Sequence, residues 1–178
     1  DLLFNSELPT KFPYSKSKFD LTDASAEADV VQAAIGQGTT LVTPFHMALI
    51  TSAIANDGVL MKPRIVKSIT NTDTGAVTTV DTEEVRQVIS SDTASKVKSM
   101  MQSVVEEGTG KRGAVTGYTV GGKTGTSEPR SGREDIDGYV ATYVAISPVE
   151  DTQVVLLLTL YKPPANNHQG GTLAGPVV

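Results

Sequence analysis

The chain contains no cysteine and no tryptophan, only two histidines, and aromatic residues at 5% of its 178 positions. Without cysteine there is no disulfide framework, no thiolate nucleophile and no zinc knuckle. Two histidines and no paired-carboxylate motif give no metal-ligand pattern, and no organic cofactor is expected either. Positive charge is scarce too: 15 Lys and Arg against 20 Asp and Glu leave a formal net charge of −5, which disfavours a nucleic-acid surface. The basic pairs Lys111-Arg112 and Arg130/Arg133 read as solvated loop charges. The longest apolar run, Val154 to Leu160, is far too short to cross a bilayer and has the length of a strand. The first residues carry no signal-peptide pattern.

What is present is ordinary globular material, 39% hydrophobic and 20% charged, enough for one domain with a real core. The chain starts at Asp1 and stops within the apolar phrase Gly175-Pro-Val-Val178, which reads as a piece of a longer polypeptide. Residues 1–28, broken by Pro9, Pro13 and Ser15-Lys-Ser-Lys18, read as a loop. A short helix is expected over Ala24–Ile35. A firmer one follows Thr43-Pro44, an N-cap residue and a proline at the first helical position, with Phe45, Leu49, Ser52 and Ala53 at helical spacing until Asn56-Asp-Gly58. Lys62–Ile69 and Ala76–Val80 suggest strands joined at Asn71–Gly75. Ser91-Asp92 then cap a helix with Val97, Met100, Met101, Val104 and Val105 on its apolar face. Three strands close the chain, at about 117–126, 138–147 and 152–161. Helices placed before a cluster of sequential strands argue an α+β fold, an antiparallel sheet packed against helices.

One segment carries chemistry in two incompatible ways. Gly117, Gly122, Lys123 and Thr124 satisfy G-x-x-x-x-G-K-[ST], the phosphate loop of nucleotide hydrolases, while Lys123-Thr124-Gly125 is the K-T-G element of penicillin-binding and β-lactamase-type serine acyl-transferases. A phosphate loop needs an apolar strand before it and a helix starting at Lys-Thr, so that several N–H groups converge on the anion. Upstream lies the polar loop Gly108–Gly113; downstream, Gly125, Pro129, Gly132 and the charged Arg130–Asp137 oppose a helix. The K-T-G reading leads, with a P-loop nucleotide hydrolase as the alternative.

Four blocks resemble the C-terminal part of a penicillin-binding protein transpeptidase domain, in order and in spacing. They are Ala34-Ile-Gly-Gln-Gly-Thr-Thr-Leu-Val-Thr-Pro-Phe-His-Met-Ala48, Ala53-Ile-Ala-Asn-Asp-Gly-Val-Leu-Met-Lys-Pro-Arg-Ile-Val66, Gly121-Gly-Lys-Thr-Gly-Thr-Ser-Glu128 and Gly170-Gly-Thr-Leu-Ala-Gly-Pro-Val177. Within that family the chain is most similar to the monofunctional, class B D,D-transpeptidases of elongation, division or sporulation.

The resemblance implies a serine in S-x-x-K, a second serine in S-x-N, and the K-T-G strand, in that chain order. This chain has no S-x-N. Its two S-x-x-K matches, Ser15/Lys18 and Ser95/Lys98, lie in a basic loop and, out of order, on a helix, so the nucleophile is expected upstream of Asp1. By the same resemblance Lys123 attracts the terminal carboxylate of a D-Ala-D-Ala stem peptide or of a β-lactam antibiotic. Thr124 and Thr126 offer hydroxyls to it, with Thr126 the better placed. Gly125 lets the substrate backbone approach the strand edge, and the Thr126 N–H completes an oxyanion hole with the missing serine.

The implied setting is the extracytoplasmic face of a bacterial membrane, anchored by a segment outside this chain. The implied partner is the N-terminal part of the same domain. Exposed edges left by its loss favour poor solubility or self-association. His46, on a mostly apolar helix, reads as a packed, hydrogen-bonded residue; His168 lies in the loop before Gly170-Gly171, near the cleft by resemblance. Glu128, Glu134, Asp135 and Asp137 read as a solvated charged loop beside Lys123. A non-catalytic, penicillin-binding-like scaffold is the further alternative.

Overall fold

The computed structural model describes residues 16–128 and 138–178. The basic and acidic positions expected in the loop at 129–137 and most of the N-terminal loop, Ser15 included, lie outside the described residues.

The core is a three-stranded antiparallel sheet, β5 (Gly121–Ser127), β6 (Val140–Ser147) and β7 (Val154–Tyr161), in the order β5-β6-β7. Register is continuous: Lys123 faces Val144, Gly125 faces Thr142, and Val144 faces Leu157. Period-two alternation therefore puts Gly121, Lys123 and Gly125 on one face with Val144 and Ile146, and Gly122, Thr124 and Thr126 on the other with Tyr143 and Ala145. Both faces are covered, which is why no residue of β6 is exposed.

On the first face Met101, Val144, Ile146 and Val149 form a cluster, flanked by Ile54 and Ala55 of α2 (Pro44–Ala55) and Val97 of α3 (Ser91–Glu106). On the second, Val105, Val120, Tyr143, Ala145 and Ala174 pack with Leu158, Leu160 and Val178. Helix α3 serves both clusters, because Met101 reaches one and Val105, a turn later, the other.

The strand's first two residues allow this. A Cβ on Gly121 would lie 3.0 Å from Ile146 and 3.1 Å from Met101; one on Gly122 would lie 2.5 Å from the Tyr143 hydroxyl. Tyr143 is fully buried, and its hydroxyl donates to the Gly110 carbonyl at 2.7 Å. Burial pushes its pKa up.

The helix signals act as read. Thr43 caps α2 by accepting from the His46 N–H at 3.1 Å, with Pro44 in its first turn. A short α1 spans Glu27–Ala34. The α3 cap is Ser90, one residue before the expected pair, accepting from the Thr93 N–H at 3.1 Å. Met100, expected on the apolar face, is 65% exposed; Ala94, Met101 and Val105 are the buried positions.

Two strand expectations are corrected. Residues 62–67 are irregular, since Pro63 has no N–H for a ladder; only β2 (Ser68–Thr70) pairs, with β3 (Val77–Thr79), across a turn in which Asn71 Oδ1 accepts from the Asp73 and Thr74 N–H groups. A separate pair, β1 (Val59–Met61) with β4 (Glu84–Gln87), was not anticipated. The K-T-G strand starts at Gly121 and not near 117: Gly117 has φ +87° in a turn and Tyr118 is 66% exposed. A four-residue helix α4 (Gly170–Leu173) follows the sheet.

Tyr143→Phe should lower unfolding free energy in denaturant titrations by about 1 kcal/mol. The loss is small because the Gly110 carbonyl keeps a second donor, the Gly113 N–H at 2.9 Å. An unchanged midpoint would mean that the buried hydroxyl contributes nothing to holding the Gly110 loop.

Candidate functional site

Lys123, Thr124, Gly125 and Thr126 occupy the middle of β5, whose second edge carries no strand among the described residues. That decides between the two motif readings: the backbone runs on as a strand through Ser127 and no helix opens at Lys123, so the phosphate-loop alternative is overturned.

Lys123 is exposed, and its Nζ donates to the Thr124 carbonyl at 2.6 Å, folded back on its own strand. Thr124 and Thr126 are half-buried on the opposite face. Thr124 Oγ1 lies 3.0 Å from Thr109 Oγ1, and Thr126 Oγ1 accepts from the Gly170 N–H at 3.1 Å. A hydroxyl that accepts there still has its own hydrogen to donate.

The glycines divide by cause. At Gly170 a Cβ would fall 2.3 Å from the carbonyls of Gly125 and Thr142, and at Gly171 it would fall 2.4 Å from the Thr109 carbonyl, so both are required for α4 to lie against the sheet backbone. At Gly125 a Cβ would meet only Thr142 Cβ at 3.7 Å, ordinary contact. Nothing in the described fold demands glycine at 125.

Ser95 is exposed on α3, and the Lys98 ammonium is bonded to Asp57 Oδ1 at 3.0 Å, so the second S-x-x-K match is not assembled as a proton-transfer pair. His46 is buried, with Nδ1 2.9 Å from Ser17 Oγ, and burial holds its pKa below the ordinary 6.5. It packs as expected of a structural histidine. His168 stacks on Tyr139, ring centroids 3.7 Å apart and planes 13° from parallel, and its Nδ1 lies 2.6 Å from the Ala165 carbonyl. Glu150 bonds to the Thr119 hydroxyl, which holds its carboxyl below the usual range. No group of three His, Cys, Asp or Glu among the described residues is arranged to hold a metal.

Thr109 is the site neighbour that sequence reasoning missed. Between Gly108 and Gly110 it looks like any surface-loop threonine, and its partner lies 15 residues on. The only signal was the nearness of that loop to the end of an amphipathic helix.

The family model of the penicillin binding protein transpeptidase domain matches residues 4–178. The chain is 34% identical over 147 residues to Stage V sporulation protein D of Bacillus subtilis, covering 82% of this chain and 23% of that protein. It is 30% identical over 158 residues to peptidoglycan D,D-transpeptidase PbpA of Mycolicibacterium smegmatis, covering 88% and 31%. Among solved structures, the imipenem acyl-enzyme complex of penicillin-binding protein A from M. tuberculosis superposes with a TM-score of 0.77 at 26% identity, over 95% of this chain and 36% of that one. The chain therefore belongs to the penicillin-binding-protein transpeptidase family, and it spans 16–32% of the length of the curated relatives it matches.

Gly125→Ala should leave stability within about 0.5 kcal/mol of the parent chain, whereas Gly170→Ala should cost about 1–3 kcal/mol, the range of a forced overpacking shift. Equal losses in thermal unfolding would contradict the division made above.

His46 supplies a pH-dependent term. Its folded pKa is depressed, so the unfolded chain binds more protons; stability is complete above about pH 6.5 and falls as pH drops through the lower folded value. The denaturation midpoint should decline as pH falls below about 6.5, and His46→Gln should flatten that slope.

Proposed function

We propose that this chain is the C-terminal, K-T-G-bearing part of a peptidoglycan D,D-transpeptidase domain whose serine nucleophile and S-x-N element lie on the preceding part of the same domain. The observation that carries the reading is the β5 edge around Gly125, unpaired and without an internal packing reason for glycine among the described residues, with Lys123 exposed beside it and Thr126 held by Gly170.

In this reading a D-Ala-D-Ala stem peptide, or a β-lactam, lies along that edge as an added strand. The Lys123 ammonium leaves the Thr124 carbonyl to meet the ligand carboxylate, and the Thr126 hydroxyl donates to the same carboxylate. The Thr126 N–H and the N–H of the serine hold the oxyanion that forms as the serine oxygen adds to the carbonyl. Lys123 and Thr126 are thus the catalytic contribution of this chain, Thr124 and Gly125 its remaining substrate contacts, and the acyl group is carried by a residue it does not contain.

Apolar side chains left open on the helices fit a missing covering part: Val30 and Val31 on α1, and Met47 and Ile50 on α2, an otherwise apolar helix, are 37–57% exposed. We place the whole protein at the extracytoplasmic membrane face, held by a segment beyond the described residues, none of whose helices is long and apolar enough to span a bilayer.

A fluorescent penicillin should label the full-length protein that carries this chain, covalently and stoichiometrically, and should not label residues 1–178 alone. Acylation of the isolated chain at Ser15 or Ser95 would overturn the assignment of the nucleophile. An unlabelled full-length protein would favour a scaffold role.

A further inference from the structure

The segment from Lys162 to Gly170 leaves β7 and returns over the sheet as a strap. It starts where the Lys162 N–H donates to the Tyr139 carbonyl at 2.9 Å, turns at Asn167 N–H to Pro164 carbonyl, 2.9 Å, and ends where the Gly170 N–H donates to Thr126 Oγ1 at 3.1 Å. Tyr139 directly precedes Val140, which faces Ser127, so its ring lies beside the end of the K-T-G strand. By alternation it is on the face that carries Thr126.

His168 closes the strap in two ways. Its ring lies flat on Tyr139 at 3.7 Å, and its Nδ1, 2.6 Å from the Ala165 carbonyl, carries the hydrogen of that bond. Only Gln169 separates His168 from Gly170, so fixing the imidazole fixes the direction of the Gly170 N–H.

We propose that Tyr139 and His168 form a positioning pair that holds the Gly170 N–H on Thr126 Oγ1 and thereby sets the direction in which the Thr126 hydroxyl donates. An oxygen that accepts from a fixed N–H has its rotor confined to the remaining directions. With the strap seated, the hydrogen is available to a ligand carboxylate; with it loose, the rotor turns freely and the same donor is met less often. This rests on the role given above to Thr126, but the geometry at Gly170 does not.

Two measurements separate the pair from its setting. In the full-length protein that carries this chain, Gly170 amide hydrogen exchange should be about two- to tenfold faster in His168→Ala, the range a lost aromatic stack gives. In His168→Phe, which keeps the ring on Tyr139 but loses the Nδ1 bond to the Ala165 carbonyl, the acceleration should be smaller than in His168→Ala. Unchanged exchange in His168→Ala, or equal acceleration in both variants, overturns the positioning role.

In the full-length protein, His168→Ala should slow second-order acylation by fluorescent penicillin about two- to tenfold, and should add nothing in a Thr126→Val background, since a group acting only through Thr126 has nothing left to act on. Additive losses overturn the proposal. Failure of the unmutated protein to react would count against the transpeptidase reading, while the exchange arm still decides the positioning pair.

Discussion

Where β5 begins, two consecutive residues have no side chain on either face of the sheet, and most of the site depends on that. Met101 and Ile146 fill the space beside Gly121, so α3 comes down against the strand itself. The Tyr143 hydroxyl fills the space beside Gly122 and donates to Gly110. That bond holds the loop in which Thr109 meets Thr124. A single added methyl at 122, 2.5 Å from the tyrosine oxygen, would press on the loop and, through it, on the hydroxyl next to Lys123. Packing and chemistry are thus linked at close range, within the span from Gly121 to Thr126.

The same residue type answers to different forces along this strand. Gly121 and Gly122 are demanded by the interior, Gly170 and Gly171 by the approach of α4 to the sheet backbone, and Gly125 by neither. A sequence shows five glycines of equal standing. Only the surroundings of each absent Cβ reveal that the glycine at the motif's centre is the one with room beside it among the described residues.

Much of the layout was legible because the signals were local. Thr43-Pro44 is a cap and a first-turn proline wherever it occurs, and the apolar run of β7 has the length of a strand. The antiparallel order of β6 and β7 followed from the short connection between them. What escaped depends on distant partners: β1 pairs with β4 across more than 20 residues, and Thr109 meets Thr124 from the far side of a turn. Tyr118 and Val120 alternate as a strand would, yet Gly117 turns the chain first, and Val120 is buried in the second cluster for a reason unrelated to strand pairing. Met100 misled in a similar way, since helical spacing cannot say whether the next layer is wide enough to cover both Met100 and Met101.

The bond from Lys123 to the Thr124 carbonyl has a consequence for the chain's behaviour in a crowded solution. An edge strand with free carbonyls and amides is a template on which another chain can grow, and a charged side chain laid along the edge blunts it. Here the blunting group is supplied by the strand itself, and it occupies an acceptor with an ammonium that a neutral neighbouring backbone has no means to draw away. A ligand bearing a carboxylate has such means. Lys123 therefore acts as a charged guard on β5, shut towards stray strands of other proteins.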